Sequence, residues 1–495
     1  MKRASIHSLC GRLLVAALML WLTTGAARAA AAGTAADQTI IILHINDIHA
    51  RIDNLAKVAW LVERERRAHD DVFLFCAGDS FSGNPIVDQY QPKGEPIIEL
   101  LSRLRFDALT LGNHEFDYGQ DVWKHFVEKM NGTVICANLQ VETPGMPQPS
   151  PFLIWNTSGG VKLAVLGLIQ RDPRSGLPDT HPDKVKAFRF WDPIETAKTY
   201  RFLKKQGQLF IALTHLGLDL DVQLAETLPE LDLIVGGHSH TAILQPRRLN
   251  GVLITQAGAD DQYLGRIEIL VRDGKTTIVK APQLIDLATV RDEDPQIKEL
   301  IRRYNDNPVL SRQIGRTLVV LTGKDELGCL MTDAVRQLLG LDIVFQNGGG
   351  IRLNSLPQNI RVKDVFQLDP FGNDIIRLEM NAAEIRSLIR NSVEKRRAID
   401  LQVSGIEYIV RFDDQGQLQE ILLKDLAGAP LDEARTYRVG LSSYIVSAYR
   451  FDHRDPGTSL HATSAETIIK FIEGGADLSR YHGMVRARLE TIGGH

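Results

Sequence analysis

From Thr39 to about Asp286 the chain alternates short, almost wholly apolar runs with longer amphipathic stretches, and no other feature constrains its fold as tightly. The runs are TIIILHIN (39–46), DVFLFC (71–76), ALTLG (108–112), TVICANL (133–139), VKLAVLGLI (161–169), LFIALTH (209–215) and LDLIVGG (231–237). Unbroken Val, Ile, Leu and Phe suit strands buried on both faces, with helices packed on either side. Between the first two runs, NLAKVAWLVERERR (54–67) places Leu55, Val58, Ala59 and Val62 on one helical face. The pattern predicts an α/β sandwich.

At 495 residues the chain exceeds what one compact core organises, so two domains are expected. A boundary falls at 291–312, where DEDPQIKELIRRYNDNP reads as a charged, solvated linker helix with Pro295 near its start and Pro308 after its end. The expected organisation is a catalytic domain over 38–290, the linker, and a smaller α+β domain over 313–495. In the latter, DELGCLMTDAVRQLLG (325–340) reads as a helix, and LDIVFQ (341–346) and GIEYIVRF (405–412) read as strands.

Residues 1–29 read as an export signal. Lys2, Arg3 and Arg12 precede the apolar run LLVAALMLWL, and Ala27-Arg28-Ala29 offers small residues for cleavage. A membrane span needs roughly 20 apolar residues, about twice this run. The C-terminal RLETIGGH carries no apolar tail, so a periplasmic or secreted protein without a membrane anchor is expected. With a formal charge of −4 before cleavage, the chain lacks the basic excess of proteins that bind polymeric nucleic acid. Cys76 and Cys136 end strand-like runs and read as buried packing residues.

Polar residues gather at the C-terminal ends of these strands, where open α/β sheets bind ligands. Asp47-Ile48-His49, Gly78-Asp79, Gly112-Asn113-His114-Glu115, His215 and Gly236-Gly237-His238-Ser239-His240 each follow or end a run. Asp, Asn and His supply the oxygen and nitrogen donors that suit divalent metals. In D-x-H and H-x-H, alternate residues of an extended segment point the same way and can reach one ion. Asp79, on a short stem behind Gly78, is placed to bridge two ions about 3.5–4 Å apart. D-x-H alone says little and GGHSH alone says more; all five on separate strand ends point to a binuclear metal site.

The order D-x-H, GD, GNHE, H, GHxH resembles the metallophosphoesterase superfamily. That resemblance implies one ion held by Asp47, His49, Asp79 and His240, and a second held by Asp79, Asn113, His215 and His238. It also implies a catalytic dyad of His114 and Asp117. A cationic His beside the metals offsets charge developing on phosphorus, and a carboxylate orients it.

In the second region, QNGGGIR (346–352) follows a strand. Its glycines let backbone N–H groups of Gly349 and Gly350 approach an anion, and Arg352 can bind phosphate oxygens bidentately. With DELGCLMTDA, DPFGN (369–373) and LQVSGIEY (401–408) around it, this region resembles the C-terminal domain of the 5′-nucleotidase family. The resemblance implies a nucleotide phosphoesterase with two divalent ions (manganese, zinc, iron, cobalt or calcium) and a nucleoside 5′-monophosphate as substrate. Cyclic nucleotides, UDP-sugars, a thiosulfate-type ester or a non-catalytic binding role are the alternatives. A second phosphate arginine is expected among Arg377, Arg386 and Arg390, with Arg390 carried forward.

Two departures stand out. His240 occupies a position where the family often has Gln or Asn. Near the C-terminus the family's GGDG-aromatic stretch is replaced by SSYIVSAYRFDHRDPG (442–457), where Phe451 is the candidate to stack on a base.

Overall fold

In the computed structural model, residues 38–245, 247–272, 275–278, 282–394 and 397–492 are described. The export signal expected over 1–29 lies outside them. The first region is a sandwich of two mixed sheets. One sheet runs in the order Lys275–Ile278, Tyr263–Arg272, Gln38–Ile45, Asp71–Cys76, Ala108–Thr110, Val134–Ile135, and Gln283–Asp286 also pairs with Tyr263–Arg272. The other runs Arg247–Leu249, Val252–Thr255, Leu233–Val235, Leu209–His215, Lys162–Ile169, Phe152–Asn156.

Both faces of each sheet are covered, which is why the strands read as unbroken apolar runs. Ile40, Ile42, Phe73, Phe75, Leu163, Val165, Ile211 and Leu213 fill the space between the sheets. Ile41, Leu43 and Leu74 point outward to helices such as Leu55–Ala68 and Glu95–Leu104. Fully burying one such side chain contributes roughly 1.5–3 kcal/mol, so these layers dominate the fold's stability. Of the run TVICANL, only Val134–Ile135 joins the first sheet, and Leu139 opens the short strand Leu139–Val141, paired with Phe188–Phe190. Between them the chain turns off the sheet, and Asn138 donates to the Ile169 carbonyl at 2.8 Å.

The parallel pairing of Gln38–Ile45 with Asp71–Cys76, and of Asp71–Cys76 with Ala108–Thr110, aligns their C-terminal ends. In the second sheet, Leu209–His215 and Leu233–Val235 are parallel in the same way. All five motifs therefore emerge on one edge of the sandwich.

The linker helix spans Pro295–Asn305, capped by the Asp294 carboxylate, which accepts from the N–H groups of Gln296 and Ile297. It is not the solvated rod its charge suggests. Ile297, Leu300 and Ile301 are buried, and the Asp294 N–H reaches the Ala56 carbonyl at 2.8 Å.

Beyond the linker, a five-stranded sheet runs Leu401–Ser404, Ile343–Asn347, Tyr437–Ser442, Asp374–Met380, Thr458–Thr463. A three-stranded sheet runs Leu418–Asp425, Ile406–Asp413, Ala487–Ile492. The helix expected at 325–340 spans Gly323–Leu338. Its residues Leu327, Leu330 and Met331 belong to the same continuous apolar core as Leu55 and Val58 of the first region, so the two regions share packing. Cys76, Cys136 and Cys329 are buried free thiols. Among the described residues, no helix is long and apolar enough to cross a membrane.

Candidate metal centre

The chain leaves the strand Gln38–Ile45 into a turn locked against its neighbour: Asp47 N–H donates to Gly78 O and His49 N–H to Asp79 O, both at 2.9 Å. Five residues of the expected ligand set have positive φ: Asp47 (50°), His49 (49°), Asp79 (54°), His238 (81°) and His240 (54°). Such residues are disfavoured in the left-handed region, at a cost of order 1–3 kcal/mol each where strain concentrates. The backbone sustains this strain in order to aim side chains inward. Gly112 is needed for close approach, since a Cβ there would lie 2.2 Å from Asp79 Oδ1.

The seven side chains converge. His215 Nε2 lies 3.0 Å from Asp79 Oδ2, His240 Nε2 lies 3.4 Å from Asp47 Oδ1, and His238 Nδ1 lies 3.0 Å from Asn113 Oδ1. Asp47, His49 and His240 form one group whose donor atoms all lie within 4.8 Å, and Asp79, His215 and His238 form a second. His49 and His240 approach to 3.0 Å between their Nε2 atoms, linking the first group internally. His114 is near both, with Nε2 4.0 Å from Asp79 Oδ2.

The donors are oriented for a cation. His215 gives its Nδ1–H to Ala77 O at 2.7 Å, and its buried Nε2 faces Asp79 Oδ2 at 3.0 Å without the geometry of a hydrogen bond. His49 gives Nδ1–H to Ser82 O at 3.2 Å, which leaves its Nε2 lone pair facing the cluster. Such outer hydrogen bonds fix tautomer and ring direction in metal-ligating histidines. Electrostatics agree. Burial pushes the Asp47 carboxyl up to about 7. Burial also opposes charge on His215, but the carboxylates of Asp79 and Asp47 outweigh it and push the imidazole up to about 10. Two buried carboxylates thus call for positive charge at the point His215 Nε2 faces. Oxygen and imidazole donors in this arrangement fit divalent cations.

Glu115, the last residue of GNHE, secures the frame. Its carboxylate accepts from the N–H groups of Asp79 (2.9 Å), Ser80 (2.5 Å) and Gly112 (2.5 Å). The His114 N–H in turn donates to Asp79 Oδ1 at 2.8 Å. The His114 ring is paired through Nδ1 with Asp117 Oδ2 at 2.5 Å, and Thr180 Oγ1 donates to Asp117 Oδ1 at 3.0 Å. Burial disfavours the imidazolium, but Asp117 and Asp79 together raise its pKa above the ordinary histidine value.

The second region reaches into this cluster. Arg352 Nη2 lies 3.5 Å from His49 Nδ1, and its guanidinium sits 5.9 Å from the centre of the Phe371 ring. Phe371 is itself stacked on His114, with centroids 5.8 Å apart and planes inclined by 16°. Phe371 belongs to the PFGN segment, so its motif was visible while its role was not. Gly348–Gly350 forms a tight turn beside Arg352. There Gly349 is exposed and Gly350 buried, and the Gly348 N–H is already used by Asp400 O at 2.6 Å.

Two expected substrate residues have no described contact with the cluster. Phe451 packs on the apolar core of the second region and pairs with the His453 ring at 4.8 Å. The first half of its loop forms the helix Ser443–Ala448, and this carries Phe451 back against the core. Arg390 is exposed on the helix Ala382–Glu394, and no described contact joins it to the cluster. Arg386 is engaged by Glu433 instead.

The sandwich with its strand-end donors has the architecture of a metallophosphoesterase domain, joined here to a smaller α+β region. Comparison with known proteins agrees: residues 40–242 match the family model for calcineurin-like phosphoesterase, and residues 309–450 match the 5′-nucleotidase C-terminal domain. The chain thus pairs a calcineurin-like phosphoesterase domain with a 5′-nucleotidase C-terminal domain. A 5′-nucleotidase of Vibrio cholerae is 28% identical, over 85% of this chain and 87% of that protein. The trifunctional nucleotide phosphoesterase protein YfkN of Bacillus subtilis is 26% identical over 82% of this chain but only 32% of its own length, so this chain spans about a third of it. The crystal structure of a 5′-nucleotidase precursor from Thermus thermophilus superposes with a TM-score of 0.75 at 26% identity, covering 92% of this chain and 99% of that one.

Proposed function

We propose that the chain is an exported phosphoesterase with two divalent ions that hydrolyses nucleoside 5′-monophosphates to nucleoside and phosphate. One observation carries this reading: Arg352 and Phe371 of the second region lie against His49 and His114 of the cluster. A phosphate-binding cation, an aromatic face and a metal-ligand set are thereby brought to one cleft, the combination a phosphate ester of an aromatic nucleoside calls for.

Asp47, His49, Asp79 and His240 would hold one ion, and Asp79, Asn113, His215 and His238 the other, with Asp79 shared. The ions would supply Lewis acidity toward phosphoryl oxygens. Arg352 would bind the remaining phosphate oxygens and orient the ester for in-line attack. His114 keeps one ring proton on Nδ1, bonded to Asp117, and turns Nε2 toward the cluster. As an imidazolium, it would hydrogen-bond the phosphoryl group as negative charge builds there. Phe371 offers its face to the base. Local positive charge from Arg352 and His114 reconciles an acidic chain with an anionic substrate.

Export rests on the leader at 1–29, with cleavage after Ala29. Phosphate release should be measured after metal stripping and readdition, with AMP, UDP-glucose and 2′,3′-cyclic AMP side by side. Metal-dependent release from AMP, lost in His114→Ala, is expected. Turnover of UDP-glucose or the cyclic nucleotide with AMP inert would overturn the substrate assignment and keep the phosphoesterase.

A further inference from the structure

Tyr118 belongs neither to the ligand set nor to the dyad, yet it is tied to both. It follows Asp117 directly and is 9% exposed. Its ring is stacked on Phe81 at 4.9 Å, with Lys93 Nζ 5.1 Å from its centre. The phenol oxygen accepts from the Ser82 N–H at 2.9 Å and donates to the Asp88 carboxylate. The other Asp88 oxygen accepts from the Gly83 N–H at 3.1 Å. Two successive backbone donors, at Ser82 and Gly83, are therefore pinned by this one buried pair.

The corner they pin is the one that holds His49. The Ser82 carbonyl accepts the His49 Nδ1–H at 3.2 Å. Ser82 has φ of 61°, so the peptide presenting that carbonyl is held in a conformation it would leave if released. Gly83 packs so closely that a Cβ there would lie 2.9 Å from His49 O. A side-chain pair that occupies both N–H groups of a strained corner decides where its carbonyl points. The carbonyl in turn decides which His49 nitrogen keeps its lone pair.

We infer that Tyr118 is a positioning residue: with Asp88 it fixes the Ser82–Gly83 corner and so aims His49 Nε2 at the place where Asp47 and His240 would hold a cation. The inference rests on the two-ion reading above. Removing the phenol oxygen strands the Ser82 N–H in the interior, and a buried unpaired donor costs about 1–3 kcal/mol, enough to shift the corner. Loss of a partner hydrogen-bonded to a ligating histidine weakens metal affinity by about 10- to 100-fold. Tyr118 acts one bond further out, so a loss of about tenfold, the low end of that range, is expected.

The test is a manganese(II) titration of metal-free full chain, followed by calorimetry and by the electron paramagnetic resonance signal of a coupled manganese pair. Tyr118→Phe keeps the ring stacked on Phe81 and should weaken one of two sites by about tenfold, the low end expected for such an outer partner. The coupled signal should then fall at sub-saturating metal. Asp88→Asn keeps an acceptor for Tyr118 but loses the one for Gly83, and should fall between variant and parent. Tyr408→Phe removes another buried phenol, bonded to Leu401 O in the second region, and should leave both affinities unchanged. A Tyr118→Phe protein that binds both ions as tightly as the parent would overturn the inference. A parent that binds fewer than two manganese ions would overturn the two-ion reading, and the inference with it.

Discussion

Arg352 places its guanidinium Nη2 3.5 Å from Nδ1 of His49, a residue some three hundred positions earlier and on the other region of the molecule. With the stacking of Phe371 on His114, this contact brings the second region onto the cluster. His49 belongs to a metal-ligand turn, Arg352 to a glycine turn after the strand Ile343–Asn347.

Arg352→Ala should raise KM for AMP by about 10- to 100-fold, the loss expected for a charge-assisted hydrogen bond worth about 1.5–3 kcal/mol. Arg352→Lys should recover only part, because an ammonium lacks the planar fork. Steady-state kinetics at constant metal check both.

The two metal groups differ in shelter. The His240 side chain is 41% exposed whereas His215 is fully buried. His240→Ala should cost one bound ion and leave the other. Asp79→Asn, at the shared carboxylate, should cost both. Elemental analysis of dialysed protein reads the stoichiometry directly.

His114 touches Asp117 and faces the cluster, and in the proposed function it belongs to the dyad and not to the ligands. His114→Ala should lower kcat by about 10²- to 10⁴-fold, the range for a positioned acid–base group, with metal content unchanged. Asp117→Asn should cost less, since the ring stays in place but loses its counter-charge.

Phe371 stacks on His114 at 5.8 Å and also meets Arg352. Phe371→Ala should raise KM for AMP while leaving KM for glycerol phosphate nearly constant, since only the first offers a base to the ring. A parallel rise for both would assign Phe371 to holding His114 instead.

Asp261 is 5% exposed and accepts from the Asn54 N–H at 3.1 Å, bracing the start of the helix Leu55–Ala68. Burial pushes its carboxyl up to about 7. The sign follows from linkage: the unfolded chain ionises near pH 4 but the folded chain holds the proton to about 7. This group's stabilisation is therefore complete below about pH 4 and is lost as pH rises through about 7. Asp261→Asn should flatten that fall, read as a smaller difference between denaturation midpoints at pH 5 and pH 8 in metal-free protein.

Much of the first region was legible because its strands are buried on both faces, and double burial writes itself as an unbroken apolar run. The strand Phe152–Asn156 escaped notice: it lies at a sheet edge and half its residues face outward. The linker's charge suggested full solvation, yet three apolar residues one helical turn apart bury it against its neighbour. The ligand set was legible for a different reason. Parallel strands deliver their C-terminal ends to one edge, so polar residues that end successive runs must be neighbours.

What the sequence determined by itself, then, is what short-range pattern controls: the layered first region, the donors on its strand ends, and the dyad three residues apart on one turn. Tertiary structure alone decided which residues of the second region reach the cluster. Arg352 and Phe371 arrive there, whereas Phe451 and Arg390 do not, because a helix at Ser443–Ala448 carries Phe451 back to the core and Arg390 sits on an exposed helical face. No local spacing encodes such choices, which depend on how two separately folded sheets pack across a shared apolar core. The Tyr118–Asp88 pair belongs to the same class: its partners at Ser82, Gly83 and His49 are gathered by the crossing of three loops, and no single stretch of chain specifies that crossing.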